Sequence, residues 1–167
     1  MTTTTASSTL VDALVTQLAM SERAFHRNVE GLTHEESLIR PQPGGNSINW
    51  VVGHIVAGRN RLLTILGEQS LLSPEAIEGY RRGADGNLTN PLPLGDLIAT
   101  FDRSQPMFVS RLQGLSEEQL TAKAPFPSPA GADAPLGAAL STLVMHEGYH
   151  VGQLGVLRRL AGKGGAI

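Results

Sequence analysis

The chain has no cysteine, no run of lysine and arginine, and no apolar stretch long enough to span a bilayer. Each absence removes a class of function. Without cysteine there are no disulfides, no thiolate metal sites and no cysteine nucleophile, a composition compatible with a reducing cytoplasm. The 13 basic residues are outnumbered by 15 acidic ones, for a net charge of -2. That balance gives no general attraction to nucleic acid, so no nucleic-acid partner is expected. With no apolar run near the roughly 18 residues of a membrane helix, no membrane partner is expected either. The opening MTTTTASSTL lacks both a basic start and a long apolar stretch, so it is not read as a signal peptide. Residues 1–7 are expected to be a disordered polar leader and 163–167 a flexible tail, around one domain over 8–162. A cytoplasmic location follows as the default expectation.

Hydrophobic residues make up 41% of the 167 and charged residues 17%, enough apolar side chains to bury a core. Their spacing is helical, with no sustained strand-like alternation. Four long segments stand out. The first covers about Ser8 to Glu30, with Leu10, Leu14, Leu18, Phe25 and Val29 on one face. The second covers about Ser47 to Leu66, with Asn46 as its expected N-cap after Pro-Gln-Pro-Gly-Gly. The third covers about Leu94 to Leu115, where Pro106 is expected to kink or split the helix. The fourth covers about Ala134 to Leu160 and stops at Gly162. Short helical turns are predicted at Thr33/Glu36 and Ser116/Gln119, both capping boxes, and at Ser73-Pro74. The Pro- and Gly-rich stretch from Glu68 to Pro93 can cross the whole bundle, letting the second and third helices run parallel.

The five histidines are not equivalent. In HEGYHVGQ, His146 and His150 lie one turn apart, about 40° from each other around the helix, and Gln153 lies about 20° from His146 on the other side. Ala139, Leu143 and Leu157 share that arc, so the two imidazoles interrupt an inward apolar stripe. His54 shares its face with Trp50, Val51, Gly58, Leu62 and Ile65 and also points inward. A buried ring must find partners for both nitrogens, and a shared metal ion supplies one to each. Three inward histidines from two helices suit a three-nitrogen site with open positions. The rival account is three hydrogen-bonded core histidines. His26 and His34 fall on or near the polar side of the first helix and its following turn and read as surface residues.

HEGYH also matches the H-E-x-x-H signature of zinc proteases, where the Glu acts as general base. No Asp, Glu or His follows His150 to serve as a third ligand, which leaves a protease a remote alternative. Glu147 with His150 supplies one E-x-x-H, whereas a di-iron bundle needs two. Glu147 lies about 100° from His146, so it is expected to miss the metal and pair at the surface, although it remains the one visible general base.

At these residues the sequence resembles the DinB-like superfamily of damage-inducible helical metalloproteins. The matching pieces are NSINWVVGHIVAGRNRLL, HEGYHVGQLGVLRRLAG and the turn LTHEES. The resemblance implies an all-α, four-helix, up-down-down-up bundle, often a homodimer, with one divalent ion, Zn²⁺ or Ni²⁺ foremost, on His54, His146 and His150. Characterised members of that superfamily include thiol-dependent transferases and isomerases, and the expectation here is a metal-dependent enzyme, either a transferase using a low-molecular-weight thiol or a hydrolase. The alternative is a non-catalytic metal- or ligand-binding protein of a stress response. Around the metal, Gln153 is a candidate for bonding bound water or for supporting a ligand. Arg61, about 20° from the His54 direction and two turns on, is a candidate carboxylate anchor or an interface arginine. Trp50 is a candidate pocket wall or core residue.

Overall fold

Local capping chemistry sets where most of the helices begin. The computed structural model describes residues 9–83 and 88–164. The leader expected at 1–7 and the last residues of the tail, 165–167, lie outside the described residues, as does Gly86 of the long connection. Among the described residues there are seven helices: α1 (Thr9–Val29), α2 (His34–Leu38), α3 (Ile48–Ile65), α4 (Pro74–Gly79), α5 (Leu94–Gln113), α6 (Glu117–Thr121) and α7 (Leu136–Leu160). The three short ones start as expected. Thr33 and Ser116 form complete capping boxes with Glu36 and Gln119, and Ser73 caps a helix with proline in its first turn. No described helix is long and apolar enough to cross a membrane.

Three boundary expectations are corrected. Ser47, not Asn46, caps α3, because its side chain accepts the Trp50 amide while Asn46 lies one residue outside. Pro106 does not split α5, which runs unbroken through it with Ser104, Gln105 and Phe108 buried around the proline. Packing on that buried face holds the helix together across the missing amide. The last helix starts at Leu136 rather than Ala134, since the Ala134 carbonyl is occupied by the Ala124 amide at 3.0 Å.

Contacts between the long helices fix their directions. Asn49 bonds the Leu92 carbonyl, Arg59 bonds Ser104 and Arg111 bonds Glu68, so α3 and α5 run parallel. Asn28 bonds the Val151 carbonyl and Leu10 reaches Gly137, so α1 and α7 are parallel as well. Phe25 stacks on Phe101, and His54 faces His150 while Arg59 faces Glu147, so the two pairs oppose each other. The result is an up-down-down-up bundle, with the long connection carrying the chain from the end of α3 back to the start of α5. Its core comes in two apolar clusters. One gathers Phe25, Trp50, Tyr80, Phe101 and Leu154, and the other gathers Leu14, Leu18, Leu63, Phe108 and Leu140. Leu10, expected on the inward face, stands 38% exposed at the rim, and Val11 takes the buried position.

Candidate metal centre

His54, His146 and His150 meet between α3 and α7. One ring nitrogen from each lies within 4.8 Å of the others. The opposite nitrogens explain why these atoms converge. His54 Nδ1 is 2.7 Å from the Tyr80 carbonyl, which can only accept, so Nδ1 carries the proton and Nε2 is left as a lone pair. His150 Nδ1 is 2.7 Å from Gln153 Oε1, and Gln153 Nε2 donates to the Tyr149 hydroxyl at 3.0 Å. That arrangement orients the amide, gives His150 Nδ1 the proton and again frees Nε2. His150 Nε2 then faces His146 Nε2 at 3.1 Å. Carbonyl or amide oxygens behind ligating imidazoles are the usual means of orienting metal ligands.

The local electrostatics keep the rings neutral. Burial lowers the His54 pKa, aided by the charges of Arg61 and Arg82 and opposed by the Tyr80 carbonyl. Burial also lowers that of His146, with further contributions from His54 and Arg82. For His150, burial dominates, Gln153 opposes, and the other two histidines add to the fall, taking it down to about 4. Neutral imidazole is the form that binds a metal ion. The chemistry of this donor set, one imidazole nitrogen from each of three neutral rings brought within 4.8 Å of the others, fits a divalent cation.

Tyr80 is the structural support for His54. Its ring lies over Gly53, so closely that a Cβ there would fall 2.1 Å from Cε1. Its hydroxyl donates to Asn49 Oδ1 and accepts from the Leu92 amide. This places a fully buried side chain of the long connection against α3 and holds the adjacent carbonyl at His54.

A cavity of about 420 Å³ opens beside the histidines, within the range of small-molecule sites. Its wall is mainly apolar, from Ile55, Leu62, Leu143 and Val144 to Phe126 in the loop after α6. The helix face of His54 that carries Gly58 and Ile65 therefore lines a cavity rather than the core. Glu147 corrects an expectation. It pairs, but inside the protein, where both carboxylate oxygens accept from Arg59, at 2.6 and 2.8 Å. Arg59 also donates to Ser104 and lies 3.8 Å over the Phe101 ring. Helical geometry put Glu147 beside the ligand arc, but burial of its partner turned that flank inward.

The other candidates fall as follows. Gln153 supports His150 through its ring nitrogen. Arg61 lines the cavity and is exposed. Trp50 is core, stacked on His54 with ring centroids 4.8 Å apart. His26 is half-buried and pairs with Asp102. Half-buried His34 accepts the Leu94 amide and ties α2 to α5. Arg59, Tyr80 and Tyr149 carry parts of the site that the sequence reading did not single out. Arg59 had a signal, as the one charge amid IVAGRN on a helix with apolar residues on every side. Tyr80 had none, because it acts through a backbone carbonyl that any residue possesses.

Comparison with known proteins agrees with this architecture. A conserved protein of Enterococcus faecalis, known from its crystal structure, superposes with a TM-score of 0.68 over 91% of this chain and 97% of that one, at 17% identity. Its likeness is one of fold. No match is found among curated proteins. The profile of the DinB superfamily matches residues 17–154, which include all three histidines and all four long helices except the first turns of α1 and the last of α7. The chain belongs to the DinB superfamily.

Proposed function

We propose that this protein binds one divalent metal ion on His54, His146 and His150 and acts as a metal-dependent enzyme on a small molecule, by thiol-dependent transfer rather than hydrolysis. The observation carrying the reading is the 3.1 Å approach of His150 Nε2 to His146 Nε2, with the His150 proton committed to Gln153. Two nitrogen lone pairs so close call for a shared proton or a cation, and His54 Nε2 comes from a different helix to the same place. Three imidazoles accept Zn²⁺ and Ni²⁺ alike. Such an ion would supply Lewis acidity, lowering the pKa of a nucleophile held beside it.

Two features favour a thiol as that nucleophile. Among the described residues the one carboxylate in the cavity wall, Glu147, has both oxygens bonded to Arg59 and is not free to deprotonate water. A thiol begins near pKa 8.5 and needs far less help than water does. The engaged Glu147 also speaks against the H-E-x-x-H protease reading, which requires that side chain as general base. The cavity opening onto the histidines favours an enzyme over a closed, non-catalytic metal store.

Elemental analysis of purified protein tests the metal. Wild type is expected to carry close to one divalent ion per chain, and the triple variant His54→Ala/His146→Ala/His150→Ala none. Equal metal in both would remove the site. Metal-loaded wild type incubated with a panel of low-molecular-weight thiols and an aryl halide electrophile is expected to form thioether faster than the triple variant. Equal rates would leave a binding protein.

A further inference from the structure

The cavity contains two arginines in opposite situations. Arg59 is buried and spent on Glu147. Arg61 is exposed, and among the described residues it has no ion pair and reaches only the Ile77 carbonyl, at 3.5 Å. It stands seven residues after His54, two turns along the same face, roughly 10 Å further along the helix axis. The tilt of helical side chains toward the N-terminus aims it back toward the histidines. The charge of Arg61 is felt at His54, and that of Arg82 at both His54 and His146. Among the described residues the cavity wall holds no acid besides Glu147, and much of that wall is apolar, with Ile55, Leu62 and Leu143 among its side chains.

Resting on the metal reading above, we infer that the ligand of this cavity is an organic acid with an apolar body, its carboxylate held by Arg61 and its reacting group at the histidine end. A guanidinium offers two parallel N–H donors that match the two oxygens of a carboxylate. The hydrocarbon part of the ligand replaces water against the apolar wall. The same cation opposes amines, whose charge would meet Arg61 and, beyond it, a metal ion.

The cobalt-substituted protein tests this with mercaptohexanoic acid and mercaptohexanol, two thiols of equal chain length differing in the group at the far end. The thiolate-to-cobalt absorption band reports arrival of sulfur at the metal, whatever happens at Arg61. In wild type the acid is expected to bind about tenfold more tightly than the alcohol, a difference typical of a charge-assisted hydrogen bond. Arg61→Gln is expected to equalise the two, chiefly by weakening the acid, and Arg61→Lys to retain part of the preference. Arg61 is exposed, so neither variant is expected to disturb folding, which the thermal midpoint checks. Equal affinities in wild type, or a preference surviving in Arg61→Gln, would overturn the inference and leave the metal reading standing. No band with either thiol would overturn the thiol-dependent reading, and the inference with it.

Discussion

Two of the three ligand histidines, His54 and His150, are defined by what their other nitrogen touches. Tyr80 and Gln153 hold two protons on the far side of two rings, and burial disfavours charge on all three. A testable consequence concerns acid. The folded histidines have pKa values below the ordinary 6.5, so between that value and about 4 for His150 the unfolded chain binds more protons than the folded one. Stability of the metal-free protein therefore rises with pH through this window and is lost on acidification. Its thermal midpoint is expected to hold near neutrality and fall as pH drops below about 6.5, with a shallower fall in His150→Gln. A midpoint indifferent to pH across that window would show the rings to be freely charged. The i,i+4 spacing of His146 and His150 and the inward face of His54 made the triad legible in the sequence. Glu147 was misjudged because angle alone assigns a residue to a flank, while its fate depends on whether a buried partner waits there.

Two contacts decide how α3 meets its neighbours. The Arg59–Glu147 pair joins positions 88 residues apart and sits between the two apolar clusters. Removing one partner strands a buried charge, so Glu147→Gln is expected to destabilise by about 3–5 kcal/mol. The double change Arg59→Met/Glu147→Leu should recover most of that loss, since apolar residues of similar volume replace a buried pair at little net cost. Urea unfolding of the three variants measures both numbers, and a double variant no better than the single one would refute the account. At Gly53 the constraint is space. Gly53→Ala drives a methyl into the buried Tyr80 ring, expected to cost about 1–3 kcal/mol and to weaken metal binding through the displaced Tyr80 carbonyl. Urea unfolding gives the stability loss, and competition with a chromophoric chelator gives the metal affinity. Unchanged values in both would show the ring free to move aside. At this scale the sequence was informative about starts and stops, because caps are local chemistry written in a few adjacent residues. Pro106 was misleading for the complementary reason: its effect depends on packing contributed by other helices.

At the scale of the bundle, the direction of the chain follows from one long connection. The stretch from Glu68 to Pro93 was readable as long enough to cross the bundle, and parallel α3 and α5 result. That placement sets α3 antiparallel to α7 and brings His54 opposite His150, although no local feature requires these helices to meet. A metal ion bound by both helices would bind only the folded state, and so stabilise it by mass action, by about 2.7 kcal/mol at a free concentration one hundred times Kd. For a domain of this length, each kcal/mol moves the thermal midpoint by about 2–4 °C. Wild type is therefore expected to melt several degrees higher with saturating Zn²⁺ than with a chelator, and the shift should shrink to near zero in both His54→Ala and His150→Ala. The comparison of the two single variants is decisive. If His150→Ala abolished the shift while His54→Ala preserved it, the ion would belong to α7 alone and the convergence of α3 on the site would serve packing. Loss of the shift in both, with each variant still folding cooperatively, means that the ion fastens one half of the up-down-down-up bundle to the other.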